Sequence, residues 1–111
     1  MDEALETWLS NQEGRYKQKC QSAFTKFLRF LKEQYGEDLN GDKVLAKHFE
    51  NRKSDDNQIK YFFDDSILPF MKWLEEAGNA HNSAVVQSGC VRSFFKYYRE
   101  RLEVQGRIGF H

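Results

Sequence analysis

The stretch YKQKCQSAFTKFLRFL, residues 16–31, decides the fold. Its apolar positions are Tyr16, Cys20, Ala23, Phe24, Phe27, Leu28 and Leu31. They recur at i, i+4, i+7 and i+8, the spacing of one face of an α-helix. At about 100° per residue, Arg15, Lys19, Ser22, Lys26 and Arg29 fall in one sector opposite that ladder. The basic residues are therefore a stripe, not a scatter. Upstream, Ser10 and Glu13 have the S-x-x-E spacing of a capping box, which predicts that they open this helix. Gly36 supplies a natural end.

Upstream of that box, Ala4, Leu5, Trp8 and Leu9 share one side of a short helical lead-in, about residues 2–9. Downstream, a shorter helix fits residues 42–52 and would bury Val44, Leu45, His48 and Phe49. His48, on an apolar face with no partner motif, is expected to be a core or boundary histidine. After a polar turn at 54–57, Ile59, Phe62, Phe63, Ile67, Phe70, Trp73, Leu74 and Ala77 resume helical spacing. Pro69 lies inside this run and should kink or split it. The apolar face keeps its phase across the proline, which favours a kink. Gly78 reads as the residue just past the end. After the turn at 79–82, Asn82 or Ser83 is expected to cap a last helix running to about Leu102. Its expected buried face is Val86, Cys90, Val91, Phe94, Tyr97, Tyr98 and Leu102. Ser88, Arg92 and Lys96 are expected opposite, flanked by Val85 and Arg99. The sum predicts an all-α, compact bundle of four main helices with a short N-terminal lead-in.

Composition agrees. The chain has 111 residues, 40% of them apolar, with ten Phe and one Pro, enough for one packed helical domain. No apolar run reaches the ~20 residues of a membrane span, and the acidic start lacks a signal-peptide core. Cys20 and Cys90 read as buried, reduced thiols, and the expected location is cytoplasmic.

The formal net charge is zero, but the charge is segregated. Residues 14–32 carry six bases and no acid, and residues 81–111 carry five bases against Glu100 and Glu103. Residues 54–80 carry six acids against Lys60 and Lys72. Two basic segments separated by acidic ones point to a positive face that grips phosphate, or, in the plainer reading, to solvated helix surfaces. The adjacent pairs Asp55-Asp56, Asp64-Asp65 and Glu75-Glu76 splay about 100° apart on a helix and are expected to be solvated. There is no phosphate-binding Gly-rich loop, no zinc spacing and no nucleophile elbow, so neither catalysis nor a cofactor or metal is expected. The candidate DNA-contacting set is Arg15, Lys19, Ser22, Lys26, Arg29, Asn82, Ser83, Ser88, Arg92 and Lys96. Small residues at Ser88 and Gly89 would permit close approach either to a nucleic-acid backbone or to another helix.

Residues 16–31 resemble the first helix of the core-binding domain of tyrosine recombinases (phage integrases). The stretch FMKWLEEAGNAHNSAVVQSGCVRSFFKY, residues 70–97, resembles the last two helices of that domain. There a Leu-x-x-x-Gly end is followed by a helix closing on Arg-Ser-Phe-Phe-x-Tyr, here residues 92–97. The resemblance spans about residues 5–104 and implies the non-catalytic half of a clamp around recombination-site DNA. It implies a DNA-binding domain over residues 1–104 and, over 105–111, a linker or cut end toward a missing catalytic domain. That domain, duplex DNA and other protomers on DNA are the implied partners, with no membrane. Tyr97 and Tyr98, expected inside, would not be nucleophiles. Neutral net charge implies weak binding by the domain alone. The rival expectation is a helical protein-interaction or regulatory module with an acidic partner.

Overall fold

A computed structural model describes residues 2–104, which form six helices and no strands. The expected linker at 105–111 lies outside the described residues. The helices are α1 (Glu3–Ser10), α2 (Gly14–Tyr35), α3 (Gly41–Asn51), α4 (Asn57–Lys60), α5 (Phe62–Glu76) and α6 (His81–Tyr97). No described helix is long and apolar enough to cross a membrane.

The core is aromatic. Trp8 of α1 meets Phe94 of α6 edge-on, with ring centres 5.4 Å apart, and Phe24 of α2 packs 4.6 Å from Phe94. A second cluster joins Phe27 and Phe30 of α2 to Phe70 and Trp73 of α5. Trp8 thus makes α1 part of the core. Its amino end is fixed to α3 by an exchange of caps. The Asp2 carboxylate accepts from Gly41 N and Asp42 N, while the Asp42 carboxylate accepts from Glu3 N and Ala4 N. A Cβ at residue 41 would lie 2.8 Å from an Asp2 oxygen and 3.0 Å from Leu5 Cβ, so glycine is needed there by close approach.

The helix ends follow their glycines. Gly36 and Gly78 adopt positive φ of 68° and 104°, and each helix closes through backbone bonds to its last carbonyls. Other boundaries depart from expectation. Ser10 is the last residue of α1 and donates to the Thr7 carbonyl; Glu13 is the N-cap of α2 but makes no side-chain cap bond. The S-x-x-E spacing therefore forms no capping box, because Ser10 is consumed by the preceding helix. Helix α5 runs unbroken through Pro69, and the interruption falls at Tyr61, which separates it from the single turn of α4. Ile59 is consequently out of phase with α5 and exposed.

Helix α6 stops at Tyr97, short of Leu102. Arg99 takes φ 63° and the Glu100 amide returns to the Phe95 carbonyl. The segment then folds back, burying Leu102 and donating Glu103 N–H to Asp64 at 2.6 Å. Asp64 is fully buried, which corrects its reading as a solvated acid. It pairs with Arg52 of α3 through two bonds of 3.1 and 2.9 Å, while Asp65 beside it is exposed. The ~100° between neighbours put one carboxylate inside and one outside.

His48 is completely buried, as its apolar face predicts, among Phe63, Phe95 and Phe49. Its Nε2 lies 3.2 Å from a Glu100 oxygen but off the line of a hydrogen bond, and Nδ1 has no described partner. Phe49, Val86 and Tyr97, expected inside, are exposed.

Candidate nucleic-acid interface

Helix α2 packs along α6, with Phe24 against Phe94 and Cys20 beside Cys90. Where the faces diverge, a groove of about 680 Å³ opens. Its α2 wall carries Arg15, Lys19, Ser22 and Lys26; its α6 wall carries Asn82, Ser83 and Gln87, with Val86 and Cys90 between. Six of the ten sequence-selected residues therefore share one concave surface, and no carboxylate lines it. The α2 stripe was legible because 3.6-residue periodicity fixes direction on a long regular helix. Arg29, on the same stripe, is exposed beyond the groove lining.

Asn82 and Ser83 play a different part from the one expected. Helix α6 starts at His81, with Ala80 as its N-cap, two residues ahead of Asn82, and no side-chain cap. The first-turn amides thus remain open beside the groove, at the positive end of the helix dipole. Ser83 Oγ instead accepts from Gln87 Nε2 at 3.0 Å, and Gln87 Oε1 accepts from Lys26 Nζ at 3.1 Å. Gln87 also reaches Asn79 Oδ1 at 3.2 Å. This residue ties α6 to α2, and sequence reasoning passed over it. Its i, i+4 spacing from Ser83 was the available signal.

Ser88 is removed from the candidate set. It is 0% exposed, on the α6 face turned to the core, and its hydroxyl is satisfied by the Val85 carbonyl at 2.8 Å. Of the two uses for small residues, Ser88 serves helix packing. Gly89 faces outward, where an added Cβ would meet only Arg92 at 3.8 Å. Arg92 and Lys96 do not line the α2–α6 groove. They line a separate cavity of about 450 Å³ with Ser93 and Arg101. The α6 surface is thus divided into two basic concavities.

Under the groove lies a thiol pair. Cys20 and Cys90 are both free and buried. Burial, the neighbouring Cys90 and its hydrogen bond push the Cys20 thiol up to about 12, while Tyr16 offsets part of the rise. Burial also raises the Tyr16 phenol, with Cys90 and Cys20 adding to the rise. The Cys20 thiol and Tyr16 phenol are therefore neutral near pH 7 and add no negative charge beneath the cations. Among the described residues, no group of three or more His, Cys, Asp or Glu could hold a metal ion.

Comparison with known proteins finds no matching family model, no matching curated protein and no matching solved structure.

Proposed function

We propose that this chain is a non-catalytic helical DNA-binding domain, of the kind that forms half of a tyrosine-recombinase clamp and works in the cytoplasm. The observation that carries the reading is the α2–α6 groove: three cations, an uncapped helix start and no lining carboxylate. Arg15, Lys19 and Lys26 neutralise successive backbone phosphates. The open amides of His81 to Ser83 take a phosphate at the helix dipole's positive end. Asn82, exposed at the tip, is the side chain placed to meet a base edge. In this reading the four longer helices, α2, α3, α5 and α6, are the scaffold of the core-binding type, with α1 as its lead-in. The catalytic half of the clamp, and the strand chemistry with it, belongs to a separate domain of a parent chain.

The experiment is a titration of the labelled chain with duplex DNA at low and moderate salt, followed by backbone NMR. Shifts concentrated at Lys19, Ser22, Asn82 and Gln87, weakening as salt rises, support the reading. An absence of groove shifts at low salt overturns it.

A second reading rests on Val86, 43% exposed on the groove wall, and on the exposed Tyr16 nearby. An acidic amphipathic helix would cover both with its apolar face while its carboxylates met the cations. Groove shifts with such a peptide, and none with DNA, would select it.

A further inference from the structure

We infer that a second, discrete anion site lies at the carboxyl half of α6, where Arg92, Ser93 and Lys96 meet Arg101 of the returning tail, and that it takes a phosphate ester. The site exists only because the chain folds back. Leu102 is buried and Glu103 N–H is bound to buried Asp64, so Arg101 is carried across to the α6 surface. A helix continuing to Leu102 would have placed Arg101 one turn beyond Tyr97, with no cavity between.

Three features give the site its chemistry. First, three cations line one concavity without a carboxylate, and none forms an ion pair among the described residues. Like charges held close without counter-ions repel, and an anion between them relieves that repulsion. Second, the Arg92 Nε is buried with no described partner, and its guanidinium lies over Gly89. The absent side chain at 89 leaves that end of the cavity open. Third, the cavity is about 450 Å³, more than a bare phosphate fills, and Leu102 and Val104 form an apolar wall. Arginine forks and the Ser93 hydroxyl suit phosphate oxygens, and the apolar wall suits an esterified sugar. The ester is a nucleotide unit of a bound strand or a free phosphate ester; the chemistry recognised is the same.

The test uses the full chain, isotope-labelled, at fixed ionic strength set with chloride. One arm titrates inorganic phosphate and a nucleoside monophosphate; the other titrates a short duplex. Saturable shifts at Ser93 and Arg101 are expected, with the monophosphate binding more tightly than inorganic phosphate and neither moving Lys19 or Ser22. Arg101→Gln should weaken small-ligand binding about tenfold, the loss expected for one charged hydrogen-bonding partner. In the duplex arm the same variant should reduce the salt slope by about one. Arg101 is exposed and in no described ion pair, so the variant should fold, and Arg92→Gln gives a second reading. Response to small ligands alone identifies a free ester as the source and leaves the site standing even if the groove binds no DNA. Response to duplex alone identifies the strand. If neither ligand gives saturable shifts at Ser93 and Arg101, or if Arg101→Gln leaves both titrations unchanged, the site does not exist, whatever the groove does.

Discussion

Asp2 and Asp42 cap each other's helices. Each carboxylate accepts two backbone N–H groups from the other's stretch of chain, between 2.6 and 3.1 Å. Four donors at two helix starts are satisfied by two side chains, and each negative charge sits at a positive dipole end. Asp2→Ala and Asp42→Ala should each destabilise the fold by about 1–2 kcal/mol in denaturant titrations. The double variant should cost less than the sum, because each cap also positions the other. Strict additivity would show that the two caps act independently. Gly41→Ala should be as harmful as either, since its Cβ meets Asp2.

The Arg52–Asp64 pair holds the returning tail. Asp64 also accepts Glu103 N–H, so Asp64→Asn weakens two elements at once. A destabilisation of about 3 kcal/mol is expected, the range for breaking a buried pair. Amide exchange at Glu103 should accelerate in this variant. A protected Glu103 amide would contradict the clasp.

His48 makes stability depend on pH. Burial, then the nearby Arg52 charge, lowers its pKa below the usual 6.5, against smaller opposing effects of Asp64 and Glu100. The folded state resists a proton that the unfolded state accepts. Its neutral-form stability is therefore full above about pH 6.5 and is lost as pH falls through that value toward the lowered folded pKa. Unfolding free energy should decline as pH falls below about 6.5, and His48→Gln should flatten that decline. Parallel wild-type and variant profiles would remove His48 as the cause.

Cys20 and Cys90 should react slowly with thiol reagents in the folded chain and rapidly in denaturant. Both are buried, and the thiolate is the reacting form. Fast labelling of both native thiols would mean that the α2–α6 seam opens readily.

Much of this was legible in the sequence, and the failures have physical reasons. Helix α2 was readable from its ladder because 22 regular residues let periodicity accumulate. Even there Phe30 was missed: it flanks the ladder and is buried only because α5 brings Phe70 and Trp73 to it. Helix α6 was harder, because a polar residue, Ser88, sits at the centre of its buried face. Ala84, Ser88, Val91 and Phe95 keep helical spacing, with Cys90 and Phe94 at the edge, and reading Ser88 as outward turned the expected face toward the exposed Val86 and Tyr97. Ser88 was assigned outward on polarity alone, although a hydroxyl that bonds its own helix backbone is cheap to bury. The end at Tyr97 was invisible locally. It depends on Arg52 and Asp64, far away in sequence, and on an arginine in a conformation that usually marks glycine. The partition of the basic residues into two concavities followed from the same hidden turn.

In the proposed function the α2–α6 groove grips a phosphate backbone. The most direct measurement is the salt dependence of duplex affinity for the wild-type chain and for Arg15→Gln/Lys19→Gln, two substitutions in exposed residues. Log affinity should fall linearly with log salt in the wild type, with a slope smaller by about two in the variant if the groove grips phosphates, because each phosphate that a cation neutralises adds roughly 0.9 to the slope. Identical slopes for the two proteins would contradict it.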